Sequence, residues 1–307
     1  RKLSLISKFM LLNSLEVTLT PRAAEDAYNL QLNDAAFDVL HLIFGFKVAT
    51  AWQIARFLGQ KEDSKYLYLK LRRMWQAGLL ESFKIYTGSR AGMPVYYMLS
   101  RKGLKILVEE GKYPVSLIKN YPKPKALFSW AIFRHELQVV ELASQEVRNS
   151  SNSFAITFKG ELASQFHDAR SDKSVEVFTP DYTVFYRMGE FEKRIYTEFE
   201  RTNKSITAMG RKLERYLFHL DQKDRDHTTL RFIFQNANME HAFWRNAFLG
   251  QASFLQNLRV LTTNLHLLES YERFLEPIYI SEQTAKLTKQ SSLGVDLSNR
   301  IKLFSFL

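Results

Sequence analysis

The chain has 307 residues, of which 46% are hydrophobic and 24% are charged. That length supports one large or two ordinary globular domains, and the composition excludes a wholly disordered or low-complexity protein. Cysteine is absent, which excludes disulfides, zinc sites with thiolate ligands and cysteine nucleophiles. Since no apolar run is long enough to cross a membrane and no signal-peptide pattern is visible, we expect a soluble, cytoplasmic protein.

Positive charge is concentrated in one part of the chain. The net charge of +11 divides into +1 for residues 1–33, +9 for residues 34–125 and +1 for residues 126–307. The middle segment holds 16 Lys/Arg against 7 Asp/Glu. Positive charge spread evenly along the chain would indicate only solubility. A local excess of positive charge predicts instead that this segment faces a polyanion.

Proline content indicates where the domains meet. Three of the seven prolines fall within residues 111–126, where they remove backbone donors and disfavour helix. We therefore expect a linker there, between a domain of residues 34–110 and a domain of residues 127–280. Residues 1–33 are expected to form an N-terminal arm, and residues 281–307 a C-terminal closing segment.

The basic domain predicts three helices followed by a β-hairpin. Helices are predicted from Asp34 to Phe44 behind an Asn33 or Asp34 cap, from Ala51 to Leu58 before Gly59, and from Ser64 to Ala77 before Gly78. Strands at residues 79–87 and 95–99 flank a glycine-rich turn at residues 88–94. This order predicts a winged helix-turn-helix domain, with the third helix placed to enter the major groove.

The third helix and the wing tip carry the candidate DNA contacts. We expect Leu67, Leu71, Met74 and Trp75 to face inward. Contact with phosphates or base edges is predicted for Lys65, Tyr68, Lys70, Arg72, Arg73 and Arg90. A second interpretation stays open, in which these are solvated charges on a winged helix that binds a protein partner or a second copy of the chain.

The second half of the chain predicts a mixed α/β domain. Its expected elements are a helix at residues 128–148, strands at 154–159, 178–186 and 194–200, a helix at 206–220, a strand at 230–235 and a helix at 240–249. A hairpin turning at Gly189 and Glu190 makes antiparallel partners sum to 379, which places Asp181 opposite Glu198. Because strand side chains alternate, Glu200 lies on the same face as Glu198.

Three carboxylates that converge in this way need a positive partner. A divalent ion, Mg²⁺ or Mn²⁺, held by the oxygen ligands of Asp181, Glu198 and Glu200 is one explanation. Such an ion could serve catalysis or only binding. The alternative is a structural ion-pair network, in which Arg201 and Lys204 neutralise the carboxylates.

Three resemblances follow from these motifs. The order helix, strand, Pro-Asp strand, Glu-x-Glu strand and helix resembles the PD-(D/E)xK nuclease core, although Glu200 stands where that pattern has its lysine. More specifically, the strings TPDYTVFY at 179–186, YTEFERTNKS at 196–205 and FRHELQVVE at 133–141 resemble the replication-relaxation family of plasmids and mobile elements. The strings LRRMWQAGLLE at 71–81 and YYMLSRKGLKIL at 96–107 resemble winged-helix repressors.

Taken together, these resemblances imply an N-terminal winged helix followed by a restriction-endonuclease-like α/β core. It implies a protein that binds double-stranded DNA in plasmid replication, relaxation or transfer, alongside a relaxase or a replication initiator. One alternative is a metal-dependent DNA endonuclease or nickase with Asp181, Glu198, Glu200 and Lys212 as catalytic residues, where Lys204 or Lys212 supplies the missing lysine. Another is an adaptor that uses the winged helix to bind a protein, and a homodimer is compatible with either.

Overall fold

The structure is a computed structural model. It describes residues 17–19, 32–85, 94–113, 115–116, 121–122, 130–150, 155–164, 179–220, 227–249, 259–268 and 280–281. The chain divides into two compact units, Arg1–Ser144 and Gln145–Leu307. Each unit contains helices and its own β-sheet, which confirms the expected mixed α+β fold class.

Three helices follow one another in the first unit: α1 (Asp34–Phe46), α2 (Ala51–Phe57) and α3 (Lys65–Gln76). Each begins after a polar side chain that accepts a hydrogen bond from the first turn, namely Asn33, Thr50 and Ser64. Gly59 and Gly78 follow α2 and α3 with φ values of 62° and 76°, in the left-handed region that glycine tolerates best. The three predicted helices, the Asn33 cap and the glycines after α2 and α3 are therefore confirmed, while the caps Thr50 and Ser64 were not predicted.

The sheet of the first unit has the strand order β1-β3-β4-β2. Its strands are β1 (Val17–Leu19), β2 (Ala49–Thr50), β3 (Leu80–Ile85) and β4 (Tyr96–Leu99). Strands β3 and β4 are the predicted antiparallel pair, and helix α4 (Arg101–Glu109) follows β4. Most of the turn predicted between them, including Arg90, lies outside the described residues. Strand β1 was not predicted, and it adds part of the expected N-terminal arm to the sheet by pairing with β3.

Two tyrosines of the expected linker, Tyr113 and Tyr121, pack within the first unit. Tyr121 is buried, donates a hydrogen bond to the backbone oxygen of Lys47 at 2.8 Å, and accepts one from the backbone nitrogen of Leu99 at 3.1 Å. Tyr113 lies against Phe44, with 4.2 Å between the ring centroids. At these positions the segment is therefore part of a hydrophobic core.

Helix α5 (Trp130–Ser150) begins in the first unit and ends in the second. Its Glu136 binds the Lys47 ammonium group at 2.7 Å, and its Glu141 binds the Arg56 guanidinium group at 2.7 Å. These contacts assign the larger part of the helix to the first unit. The division between Ser144 and Gln145 consequently falls later along the chain than the boundary that we expected near residue 126.

The second unit is built on a six-stranded sheet with the order β10-β9-β8-β7-β6-β5. Its strands are β5 (Ala155–Gly160), β6 (Tyr182–Met188), β7 (Phe191–Glu200), β8 (Thr228–Phe234), β9 (Val260–Asn264) and β10 (Ile280–Ser281). Strands β7, β8 and β9 are parallel, and the other pairings are antiparallel. The described part of this unit also contains three helices, α6 (Ile206–His219), α7 (Ala237–Leu249) and α8 (Leu265–Leu268), and the 3-10 turn Glu161–Ala163.

The two faces of this sheet carry different buried groups. On one face, strands β7 to β9 and helices α6 and α7 form a hydrophobic cluster around Tyr216, Phe232 and Trp244. Strand registers place Glu198 beside Phe232, and therefore on this face. The opposite face carries Arg231, which binds Glu146 of α5.

Candidate functional site

The hairpin of β6 and β7 brings the predicted carboxylates together. Tyr182 pairs with Thr197 and Thr183 with Tyr196, so the partners sum to 379 and the predicted register is confirmed. Asp181, directly before β6, accepts a hydrogen bond from the backbone nitrogen of Phe199 at 2.6 Å. Its carboxylate therefore lies at the end of β7 that carries Glu198 and Glu200.

Helix α6 supplies a lysine to both glutamates. The Lys212 ammonium group lies 2.5 Å from a carboxylate oxygen of Glu198 and 2.7 Å from one of Glu200. The sequence analysis offered Lys204 or Lys212 as the lysine beside the carboxylates. Lys212 is the one that binds both Glu198 and Glu200. Lys204, in the loop before α6, binds Glu200 alone at 2.8 Å. The helix that follows the strand therefore places a lysine beside both glutamates.

A tyrosine completes this arrangement. Tyr216 stands one helical turn after Lys212 and donates a hydrogen bond to the second carboxylate oxygen of Glu198 at 2.6 Å. We did not predict Tyr216, although the spacing of four residues on a helix places it on the face of Lys212. We refer to Asp181, Glu198, Glu200, Lys204, Lys212 and Tyr216 as the carboxylate–lysine cluster.

Burial dominates the electrostatics of the cluster. Glu198 is 3% exposed. Its burial, reinforced by the charge of Asp181, raises the pKa of this carboxyl to about 7, although Lys212 and Tyr216 favour its ionised form. Burial lowers the pKa of Lys212, but the charges of Glu198, Glu200 and Asp181 outweigh that effect and raise it above its ordinary value. Burial beside Glu198 also raises the pKa of Tyr216, so its hydroxyl keeps its proton at neutral pH.

The carboxylates do not fit a divalent ion as they stand. Three carboxylates have the oxygen chemistry that Mg²⁺ and Mn²⁺ prefer. However, both oxygens of Glu198 are bound by Lys212 and Tyr216, and both oxygens of Glu200 by lysines. Among the described residues, no group of three or more His, Asp or Glu side chains is arranged to hold a metal ion. The predicted metal site stays a prediction, and the position between the two glutamates is taken by Lys212.

Helix α3 carries five of the six residues that we predicted to contact DNA, and four of them are exposed. Its inner face buries Leu67, Leu71 and Met74, as predicted, while Trp75 is only half-buried. The residues of the helix exposed to solvent include three cations, two tyrosines and a leucine: Lys65, Arg72, Arg73, Tyr66, Tyr68 and Leu69. Lys70 is half-buried, and its ammonium group donates to Asn33 at 3.2 Å. A cationic face with exposed apolar side chains results.

The structure also shows a buried network that the sequence analysis missed. Glu146 of α5 accepts hydrogen bonds from Tyr182, Tyr186 and Arg231. Neither Glu146 nor Arg231 is exposed. Strand register could have placed Tyr182 and Tyr186 on one face, but no sequence signal connected Arg231 with a glutamate 85 residues earlier.

Together these features define a two-unit α+β protein, with a cationic helix in one unit and a carboxylate–lysine cluster in the other. The sequence model of the replication-relaxation family matches residues 40–230, which is more than half of the chain. The chain belongs to the replication-relaxation family. No curated protein and no solved structure matches it. Among the residues that the structure describes, no helix is both long and apolar enough to span a membrane.

Proposed function

We propose that the chain is a DNA-binding protein of a mobile element that acts in plasmid replication, relaxation or transfer. The helix α3 carries the proposal, because it contains Lys65, Lys70, Arg72 and Arg73 and no acidic residue. In a winged helix-turn-helix domain this third helix enters the major groove. Membership of the replication-relaxation family supports the assignment to replication or relaxation.

Helix α3 exposes both cationic and apolar side chains, so it could contact base edges as well as phosphates. Arg72 and Arg73 can bind phosphates or the acceptor atoms of guanine. Leu69 is 53% exposed and Tyr66 60% exposed, and such apolar groups can contact thymine methyl groups. The local charge of +9 in residues 34–125 would strengthen the encounter with DNA.

A charge-reversal variant tests where DNA binds. Replacing Lys65, Arg72 and Arg73 with glutamate should weaken retention of a duplex by at least tenfold. The slope of log affinity against log salt should fall by about 2–3, since each lost phosphate contact accounts for roughly 0.9. Binding is measured by fluorescence anisotropy across a salt series, with folding checked by circular dichroism.

The matched control reverses three exposed cations elsewhere: Lys105, Lys159 and Arg245. It changes the net charge equally and should retain most of the affinity and of the salt slope. Equal losses in both variants would mean that DNA responds only to net charge, which contradicts a specific role for α3. Unchanged binding in the α3 variant would favour the adaptor interpretation, in which this face binds a protein such as a relaxase or a replication initiator.

A metal-dependent endonuclease is the second candidate function. It is favoured by the position of Lys212 beside Glu198 and Glu200, since that lysine restores the residue type that the strand motif lacks. Incubating the protein with supercoiled plasmid, with and without Mg²⁺ or Mn²⁺, separates the candidates. Nicked or linear product that disappears in the Lys212→Met variant supports the endonuclease, whereas retardation without cleavage supports DNA binding alone.

A further inference from the structure

Lys193, in strand β7 of the second unit, is largely buried, and no described residue supplies a counter-charge for it. The residue is 8% exposed. Its ammonium group forms no hydrogen bond and no ion pair with the part of the chain that the structure describes. A lysine side chain buried to this extent usually has an anionic partner, because partial removal of its ammonium group from water is costly.

A second cation lies on the same face of the sheet. Thr229 pairs with Ile195, and Val260 pairs with Leu230, so Arg259 stands beside Thr229 one position before β9. Because alternate residues share a face, Lys193, Thr229 and Arg259 all project to one side. Arg259 is exposed and, like Lys193, has no ion-pair partner among the described residues. The two cations are close enough that the charge of Arg259 lowers the pKa of Lys193.

The carboxylate known on this face does not neutralise them. Glu146 is bound through both of its oxygens by Arg231 and also accepts hydrogen bonds from Tyr182 and Tyr186. Tyr186 is the direct strand partner of Lys193, but its hydroxyl is committed to Glu146. The described residues therefore offer no anion to these two neighbouring cations, and like charges at close range repel each other.

We propose that Lys193 and Arg259 form a binding site for a phosphate group at the edge of the sheet where strands β7 to β9 begin. A phosphate offers several acceptor oxygens, which a lysine binds as a point charge and an arginine binds with two parallel donors. The Thr229 hydroxyl, between the two cations, supplies a further donor. The site lies in the second unit and does not depend on DNA binding by α3.

The titration of Lys193 tests this site directly. With lysines labelled at Cε with ¹³C, the resonance absent from the Lys193→Met variant identifies this residue. In chloride buffer, burial and the charge of Arg259 should hold its pKa near 8. Inorganic phosphate at equal ionic strength should raise that pKa by at least one unit and should raise Tm by about 2–4 °C, because the anion binds the folded state.

Variants and a second probe decide the outcome. Arg259→Ala should abolish both phosphate effects, while Lys159→Met, an exposed lysine of the same sheet, should retain them. A short single-stranded oligonucleotide without terminal phosphate shows whether the bound phosphate group belongs to DNA or to a small anion. A shift of the Lys193 resonance with the oligonucleotide assigns the site to a DNA backbone. A shift with inorganic phosphate alone assigns it to a small anion. An identical Lys193 titration in chloride, phosphate and oligonucleotide would overturn the proposal.

Discussion

Arg231 and Glu146 form an ion pair in which both side chains are completely buried. The guanidinium group makes two parallel hydrogen bonds to the carboxylate, of 2.9 and 2.6 Å. It also donates to the hydroxyl oxygen of Thr197 at 2.7 Å. Since the carboxylate belongs to helix α5 and the guanidinium group to strand β8, the pair fixes the end of α5 on the sheet of the second unit.

Removing one partner of this pair should strongly destabilise the protein. Glu146→Ala leaves a buried guanidinium group and two buried tyrosine hydroxyls without their acceptor, so we expect a loss of about 3–5 kcal/mol in the free energy of unfolding. Urea titration measures this loss. The double variant Glu146→Leu, Arg231→Met should lose less than Glu146→Ala, because no buried charge is left unpaired.

The control for this experiment is an exposed ion pair in the same sheet. Arg187 and Glu192 lie 2.8 Å apart, with side chains 59% and 37% exposed. Glu192→Ala should change stability by at most about 1 kcal/mol. A comparable loss in both single variants would contradict the importance that we assign to burial.

Local sequence signals predicted much of the fold, because they act over a few residues. Asn33 caps α1 by accepting a hydrogen bond from the backbone nitrogen three residues later, and Gly59 and Gly78 follow the ends of α2 and α3. The turn at Gly189 set the register of β6 and β7, and with it the proximity of Asp181 to the end of β7. Alternation then placed Glu198 and Glu200 on one face.

Contacts between distant segments could not be predicted in this way. Strand β1 joins the sheet by pairing with a strand more than 60 residues later. Lys47 binds Glu136, which lies 89 residues away along the chain, and Arg231 binds Glu146, which lies 85 residues away. Such pairs depend on the packing of whole elements, for which a single sequence carries no periodic signal. The same reason explains why Lys204 and Lys212 could not be distinguished before the structure.

Gly103 in helix α4 should not tolerate a larger side chain. A Cβ atom at this position would overlap the backbone oxygen of Leu79, which itself accepts a hydrogen bond from the Ser100 nitrogen at 3.0 Å. Gly103→Ala should therefore destabilise the first unit by about 1–3 kcal/mol. In contrast, Gly210→Ala in α6 meets open space and should stabilise by up to about 1 kcal/mol. Thermal unfolding measures the change in Tm of each variant. A change in the same direction for both would contradict this prediction.

Lys212 should control whether the carboxylate–lysine cluster binds a divalent ion. Because its ammonium group occupies the position between Glu198 and Glu200, the wild type should gain little stability from Mg²⁺ or Mn²⁺. Lys212→Met removes the positive charge and leaves carboxylates with the oxygen chemistry for such ions. This variant should bind Mn²⁺ in calorimetry and show a metal-dependent rise in Tm.

Asp181 provides the control for that experiment. Adding Asp181→Asn to Lys212→Met should remove the metal response, since one of the three carboxylates is lost. A strong metal response in the wild type would show that Lys212 yields its position to the ion, which favours the endonuclease candidate. The absence of a response in Lys212→Met would mean that the cluster is a structural ion-pair network only.

The pH dependence of stability should reveal which force dominates at Glu198. Burial raises the pKa of this carboxyl to about 7 in the folded protein, above the value near 4.3 of an unfolded chain. A raised carboxyl pKa means that the folded state binds the proton more tightly, so stability is complete below about pH 4 and declines as pH rises towards 7. Glu198→Gln should remove this decline, because glutamine carries no titrating proton.

The measurement is the difference in the free energy of unfolding between the wild type and Glu198→Gln, taken at intervals from pH 5 to pH 8. We expect the wild type to lose up to about 3 kcal/mol relative to the variant across this range. Glu192→Gln, an exposed position in the same strand, should show no comparable trend. If the ion pair with Lys212 outweighed burial, the pKa of Glu198 would be lowered and the wild type would instead retain or gain stability with rising pH. The sign of the slope therefore decides between burial and ion pairing at the centre of the cluster.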